Sequence, residues 1–534
     1  MGVVSLKDIL LISFFLFASL ANSLPLSTNG RWVVDSMTGK RVKLQCINWA
    51  SHMQSMVVEG LDKKPLPEIV DSMSSLGFNC VRLTYATYMF TRLDYGTRTV
   101  DHSFTSLNLT EARDGIAKNN PSLLNLTVVE AYHKVVDELG AKGIMVVLDN
   151  HISRPNWCCS ENDGNGFFGD EYFDAEEWLE GLTIVARRFK YYPQVVAMSM
   201  RNELRGPRQA QPDWFRWVGR GGRRIHFVNP KLLVIVSGLS YDTDLSFLPR
   251  NLSVNLGNKL VYEGHWYAFS SGRRKAWVNG PLDKVCATTM KEFDDRIYFV
   301  TKGKNPVPLF ASEFGVDQRG LNQGDNMFIS CFLAYAAERD LDWALWALQG
   351  SYYIRENKTD FEETYGVLDK NWDQPRNPKF RERYRLVEQM LQDPTSKLPT
   401  NHIMYHPLSG HCVLVDDNNS IQLTDCLNRS HWSYGGDGTP INLVGTSMCL
   451  KAVGDGLPVT VSTDCSSNQS MWRVISSSKL QLATMNEQGK SICLENNSNS
   501  STILTTECLC AEDGDKCQDN PEIQWFKLVQ TNLS

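Results

Sequence analysis

The chain has 534 residues, 42% of them hydrophobic and 10% aromatic, which is ample for a large core and for more than one domain. Its 54 Lys and Arg against 60 Asp and Glu leave a formal charge of -6, and no long basic run supplies the footprint that nucleic-acid binding needs. The short basic cluster Arg220 to Arg224 reads as a solvated helix face.

Residues Ile9 to Leu20 form an apolar run of signal-peptide length, preceded by Lys7 and followed by the small-x-small pattern Ala21-Asn22-Ser23. Cleavage is expected to remove residues 1–23 and leave Leu24 as the mature start. The run is too short to span a bilayer and no later stretch reaches about 18 consecutive apolar residues, so no membrane attachment is expected after cleavage. Fourteen cysteines and glycosylation sequons at Asn108, Asn125, Asn251, Asn357, Asn428 and Asn468 fit an oxidising secretory route. The expectation is a secreted glycoprotein, extracellular or in a cell wall.

From Arg41 to about Pro394 apolar strand-like runs alternate with amphipathic segments. The strands expected are Val42 to Trp49, Phe78 to Leu83, Ile144 to Asn150, Val195 to Met200, Leu232 to Ser237, Leu260 to His265, Val307 to Glu313 and Leu341 to Ala347. Helical patterns cover Leu66 to Leu76, Thr127 to Ala141, Ala175 to Tyr191, Asp213 to Phe227, Asp283 to Lys302, Asp325 to Arg339 and Lys379 to Leu391. Gly238 to Lys259 lacks a helical pattern, and Asp94 to Asn125 and Trp157 to Asp174 read as loops. Eight strand-helix units of this total length favour a (β/α)8 barrel over an open doubly wound sheet, and no Gly-x-Gly-x-x-Gly loop supports the alternative.

In such a barrel, polar residues at the carboxyl ends of the strands converge on one face. Here those ends carry Trp49, Arg82, His151, Asn202, Glu203, His265, Tyr267, Glu313 and Trp346. Two of them are acids that stop an apolar run: Glu203 after Val195-Val-Ala-Met-Ser-Met-Arg-Asn202, and Glu313 within Pro308-Leu-Phe-Ala-Ser-Glu-Phe-Gly315. Glycosidic-bond hydrolysis uses a pair of this kind, one carboxyl to protonate the leaving oxygen and one to attack or to activate water.

The barrel region resembles glycoside hydrolase family five, the cellulase-like family, over nearly all of Arg31 to Pro394. The motifs occur in order: Gly77-Phe-Asn-Cys-Val-Arg82-Leu, Val147-Leu-Asp-Asn-His151, Asn202-Glu203, His265-Trp-Tyr267, Ser312-Glu313-Phe-Gly and Trp346, with Trp343 competing for the last place. Leu204 stands where many members have proline. The resemblance implies a retaining mechanism in which Glu203 is the general acid/base and Glu313 the nucleophile. Arg82 and Tyr267 would hold Glu313 ionised and aimed, Asn202 would bond the sugar 2-hydroxyl, and His151 and His265 would complete a hydrogen-bonded floor. Trp346 would stack under the sugar beside the scissile bond. Trp157, Trp178, Trp214, Trp217, Trp266 and Trp277 are candidates for further subsites or for core. No His/Cys/Asp cluster has metal spacing, so neither metal nor organic cofactor is expected.

The cysteines of this region are Cys46, Cys80, Cys158, Cys159, Cys286 and Cys331, and six allow fifteen connectivities. Cys158-Cys159 follows the third strand beside Trp157, where a loop staple near the cleft would fit.

After a linker at residues 395–400 the composition shifts to Ser, Asn, Asp and Gly and a repeat begins. Cysteine pairs 14, 16 and 15 residues apart, Cys412/Cys426, Cys449/Cys465 and Cys493/Cys508, are followed by Trp432, Trp472 and Trp525. Short alternating runs such as Ile421-Gln-Leu-Thr predict strands. Residues 401–534 resemble a ricin-B-type β-trefoil lectin, which implies those three disulfides and leaves Cys510 with Cys517. The sugar-binding Asp of that family falls at Leu414, Lys451 and Glu495, so only the third repeat keeps an acid. Its Gln-x-Trp signature is degenerate, reading Ser430-His-Trp, Ser470-Met-Trp and Ile523-Gln-Trp. The trefoil is therefore expected to be structural or at most weakly glycan-binding.

The function expected from these features is hydrolysis of a β-linked glucan, mannan or related glycoside. Two alternatives stay open: a transglycosylase using the same site, and a non-catalytic carbohydrate-binding protein.

Overall fold

The computed structural model describes residues 25–248, 255–497, 500–511, 517 and 519–534. The signal segment and the Asn251 sequon lie outside the described residues. The chain separates into two compact units: the described residues up to Trp266 with Arg296–Gly315 and Asp342–Arg376, and Tyr267–Asp295 with Val316–Leu341 and Asn377–Ser534.

The first unit begins with a hairpin of β1 (Leu26–Asn29) and β2 (Trp32–Asp35). The eight expected strands then form as β3 (Gln45–Trp49), β4 (Cys80–Ala86), β5 (Met145–Ile152), β6 (Val195–Ser199), β7 (Leu233–Val236), β8 (Leu260–Trp266), β9 (Leu309–Phe314) and β10 (Asp342–Leu345). Each pairs in parallel with the next, and β10 returns to β3 through Trp343↔Gln45 and Leu345↔Ile47, closing the barrel. The runs are apolar on both faces because an inner core and an outer helix layer bury both sides. Leu26 and Val33 of the hairpin share a buried cluster with Leu44, Val147, Ala197, Ile235 and Phe310, which plugs the barrel at the end away from the strand carboxyl termini. Cys46 and Cys80, register partners on β3 and β4, are joined by a disulfide.

Helix boundaries follow local chemistry. Thr127 and Glu130 form a reciprocal capping box at the start of Val128–Ala141, and Asp174 accepts the Glu177 N–H at the start of Ala175–Arg188. Arg220 lies on Gln211–Val228 and pairs with Glu176, in keeping with a solvated face for the basic cluster.

The structure corrects one expectation. Asp94 to Asn125 is not a loop: helices Leu93–Gly96, Val100–Ser106 and Thr110–Asn119 occupy it. They are short, and they are anchored by long-range bonds that no local periodicity reports. The buried Asn120 side chain donates to Leu61 O and Lys64 O and accepts from Leu66 N. The hairpin Ser351–Arg355/Lys358–Glu362 is likewise an addition to the expected elements.

The second unit combines helices Arg274–Asn279, Leu282–Arg296, Gln323–Arg339 and Phe380–Glu388 with an antiparallel sheet of thirteen strands running from Asn401 to Thr531. Cys286–Cys331 ties two of the helices together. Met404, Val413, Leu423, Trp432, Leu450, Trp472, Leu494 and Phe526 form one apolar core in the sheet region. The four disulfides implied there by resemblance all form: Cys412–Cys426, Cys449–Cys465, Cys493–Cys508 and Cys510–Cys517. The sheet is tied to the helices of its unit by polar contacts: Lys527 Nζ lies 2.9 Å from Glu338 Oε1, and the buried Asp283 carboxylate accepts from Ser476 and Ser478. Among the described residues no helix is long and apolar enough to cross a membrane.

Candidate active site

Side chains on or just after β3, β5, β6, β8 and β9 bring five charged or polar partners together around one buried arginine. Arg82, on β4, is fully buried. Its Nη1 donates to Glu313 Oε1 at 2.9 Å and Asn48 Oδ1 at 3.0 Å, and its Nη2 donates to Asn202 Oδ1 at 2.9 Å. The same Nη2 lies 3.0 Å from Asp149 Oδ1 and 3.6 Å from Glu263 Oε2. One guanidinium thus serves three carboxylates from three strands; burial alone would weaken its charge, but Asp149, Glu263 and Glu313 outweigh that and raise its pKa.

On β5 the period of two puts Asp149 and His151 on one face, and Asp149 Oδ2 lies 2.6 Å from His151 Nδ1. His151 Nε2 then faces the Asn202 side-chain nitrogen at 3.5 Å. Both cysteine sulfurs of the bonded pair Cys158–Cys159 lie against that nitrogen, at 3.7 and 3.6 Å. The pairing settles the connectivity of this loop.

Glu203 leaves the end of β6 with φ 43°, a left-handed conformation. Its Oε1 lies 2.9 Å from His265 Nδ1. The same Nδ1 is 3.7 Å from Glu313 Oε2, while His265 Nε2 meets Ser312 Oγ at 3.1 Å. His265 therefore stands between the two acids. Ligand-type atoms of Glu203, His265 and Glu313 all fall within 4.8 Å of one another. Asp242, Glu263 and His265 make a second such group; the sulfurs of Cys158 and Cys159, which also lie near Glu203, are bonded to each other and offer no thiolate.

Electrostatics follow from burial. The Glu203 and Glu313 carboxyls are 15% and 7% exposed. Loss of hydration pushes each up to about 7, against the pull of Arg205 and Arg82 on Glu203 and of His265 and Arg82 on Glu313. Burial raises Asp149, Glu263 and Asp242 as well. It lowers His151, His265 and His52, which keeps all three imidazoles neutral near pH 7.

Trp346 follows β10, with its ring stacked on His151 at 5.6 Å and 18°, and Trp157 meets it edge-on at 6.4 Å. Arg355 covers the other ring of that corner, 3.4 Å above Trp157.

Residues 36–351 match the family described as Cellulase (glycosyl hydrolase family 5). A glycosyl hydrolase 5 family protein of Chamaecyparis obtusa is 47% identical over 544 residues, covering 99% of this chain and 97% of that one. The chain belongs to glycosyl hydrolase family 5. It is a glycoside hydrolase. An endoglucanase of Paenibacillus polymyxa is 23% identical over 374 residues, covering 66% of this chain and 84% of its own. The barrel fold is shared with the endocellulase of Pyrococcus horikoshii, at 21% identity and a TM-score of 0.54 over 68% of this chain and 98% of that one.

Of the residues expected to form the family 5 site, the structure brings Arg82, His151, Asn202, Glu203, His265, Glu313 and Trp346 into one connected network. Tyr267 follows β8 directly and is buried, with its ring stacked on Phe269 at 4.7 Å. Between the competing tryptophans, Trp343 packs edge-on against Phe78 and Phe314 in the core, leaving Trp346 beside His151. Trp49 is also core, its indole N–H on Glu59 O. Trp178 and Trp214 donate to Met200 O and Ser237 O and are fully buried, whereas Trp157 packs against Trp346.

Sequence reasoning missed Asn48, His52, Asp149, Asp242 and Glu263. For Asp149 and Glu263 the signal was present: each is a lone acid inside an apolar strand, in Met145–Ile152 and Leu260–Trp266. Asp242 sits in a polar turn where no local pattern distinguishes it.

Proposed function

We propose that this family 5 enzyme is a secreted, retaining β-glycosidase acting on a β-linked glucan, with Glu313 as nucleophile and Glu203 as general acid/base. The observation that carries the mechanism is the closeness of the two carboxyls: one oxygen of each lies within 4.8 Å of the other, and both reach His265 Nδ1, at 2.9 and 3.7 Å. Retaining pairs stand about 5–5.5 Å apart, whereas inverting pairs need about 6.5–9.5 Å to admit a water.

In the first step Glu313 attacks the anomeric carbon as Glu203 gives its proton to the departing glycosidic oxygen. In the second, Glu203 takes a proton from water, which displaces Glu313. The direct contact of Arg82 with Glu313 favours the negative charge there. Asn202, oriented by Arg82, offers its side-chain nitrogen to the sugar 2-hydroxyl, and Trp346 offers an apolar face to the sugar ring. A sugar hydroxyl in place of water in the second step would make the same site a transglycosylase.

A glucan is preferred over a mannan because the relatives named above are an endoglucanase and an endocellulase, the latter also solved with cellotetraose. Secretion is supported by the seven disulfides and by the exposure of Asn108, Asn125, Asn357, Asn428 and Asn468. In this proposal the C-terminal sheet is a ricin-B-type trefoil whose glycan contacts are confined to the third repeat. Lys451 of the second repeat is paired with Asp464 at 2.7 Å, and Glu495 of the third accepts from Thr506 and Gln524 at 2.6 and 3.0 Å.

The test is hydrolysis of β-glucan and β-mannan oligosaccharides and aryl β-glycosides, with Glu313→Ala as control. Cleavage of a glucan by the wild type alone is expected; cleavage of mannan alone would overturn the substrate assignment, and equal activity of the variant would overturn the nucleophile.

A further inference from the structure

Glu203 is a non-glycine residue held at φ 43°, where a side chain with a Cβ is strained. Leu204, which follows it, has no ring to restrict the chain. Yet the carboxyl must be held within about 0.5 Å of the position from which it reaches the oxygen between two sugars. Something else fixes the backbone.

Both polar groups of the Glu203 backbone are taken by buried side chains. Its N–H donates to Asp242 Oδ2 at 3.1 Å, and its carbonyl accepts from Arg205 Nη1 at 2.8 Å. Neither partner is free to drift. Arg205 is fully buried, with Nε on Ser160 O at 2.9 Å, Nη2 on Asp163 Oδ2 at 2.5 Å and its own N–H on Gly166 O at 3.1 Å. Asp242 is fully buried and lies in the turn after β7; its carbonyl accepts the His265 N–H at 3.0 Å, and the adjacent Tyr241 N–H donates to Leu204 O at 3.0 Å. Asp242 Oδ2 is also 3.5 Å from His265 Nε2, and His265 Nδ1 touches the Glu203 carboxyl. The turn after β7 thus grips the acid at its backbone directly and at its carboxyl through one imidazole.

We propose that Asp242 and Arg205 are positioning residues that clamp the Glu203 backbone in its left-handed conformation, so that its carboxyl meets the leaving oxygen. The inference rests on the reading of Glu203 as the acid/base. Asp242 needs only an acceptor oxygen for this role. Asparagine supplies one, and alanine does not.

The test has a structural and a kinetic arm. In crystals of Asp242→Ala, Glu203 is expected to leave the positive-φ region and its carboxyl to part from His265; an unchanged Glu203 would overturn the proposal whatever the substrate. For kinetics the probes are cellotetraose, whose leaving group needs a proton, and 2,4-dinitrophenyl β-cellobioside, whose leaving group does not. General-acid assistance is worth about 100-fold or more. Asp242→Ala and Arg205→Met are expected to lose about 100-fold in kcat on cellotetraose with KM little changed, and less than about fivefold in the glycosylation step of the dinitrophenyl substrate. Asp242→Asn is expected to recover most of the cellotetraose activity. Equal losses on both probes, at unchanged Tm, would mean a merely structural role and overturn the clamp. Glu203→Ala separates the two readings: if it shows the leaving-group contrast and Asp242→Ala does not, only the clamp fails, and if Glu203→Ala itself shows no contrast, the acid/base assignment fails with it.

Discussion

Arg82 and Glu313 face each other from β4 and β9, with Nη1 of the arginine 2.9 Å from Oε1 of the glutamate and neither side chain more than 7% exposed. The same guanidinium neutralises Asp149 and Glu263. Removing it takes the guanidinium charge from three buried carboxylates at once. Arg82→Met is therefore expected to destabilise the chain by about 3–5 kcal/mol and to abolish measurable turnover. Thermal unfolding of the purified variant beside its kcat checks both parts.

The pH dependence of stability follows from the two acids. Glu203 and Glu313 rise from 4.5 to about 7 on folding, so the folded state binds protons more tightly than the unfolded one. Their contribution to stability is full below about pH 4.5 and is lost as pH rises through about 7. Glutamine has no proton to lose. Glu313→Gln is thus expected to gain Tm relative to wild type at pH 8 and to gain little at pH 4, as measured by unfolding across that range.

Two tryptophans three residues apart should fail in different ways. Trp346 stacks on His151 at the strand ends, so Trp346→Ala is expected to raise KM for an oligosaccharide by about tenfold or more through loss of the ring face. Trp343 packs among Phe78 and Phe314, so Trp343→Ala is expected to cost about 3–5 kcal/mol of stability with KM unchanged in the folded fraction. Steady-state kinetics and thermal unfolding of both variants separate these outcomes.

The barrel was legible because its strands carry their signal locally. Runs such as Val195–Ser199 and Leu233–Val236 are apolar on both faces, and each ends near a polar residue that the closed barrel turns to one side. The core of the site was legible for the same reason. What escaped depends on contacts distant in sequence. Asp242 meets Glu203 from a turn 39 residues away, and the last of the short helices between Leu93 and Asn119 is tied at its C-cap, Asn120, to Leu61, Lys64 and Leu66. Trp343 and Trp346 could not be ranked by pattern, since one precedes and the other follows the point where β10 ends.

The grouping of the C-terminal sheet with helices Leu282–Arg296 and Gln323–Arg339 carries its own expectation. Ending the chain at Pro394 removes Ser476 and Ser478 from the Asp283 carboxylate and Lys527 from Glu338. A buried carboxylate left without partners costs about 1–3 kcal/mol or more. The truncated chain is expected to melt several degrees below the full one. Differential scanning calorimetry of the two proteins reads this directly.

Double displacement is read most directly by proton NMR of the first turnovers of cellotetraose, following the anomeric signals of the new reducing ends. The carboxylate pair of Glu203 and Glu313 predicts that the β-anomer appears first and relaxes to the mixture by mutarotation, with no signal from Glu313→Ala. First appearance of the α-anomer, or turnover by the Glu313→Ala variant at the wild-type rate, would contradict double displacement at this pair.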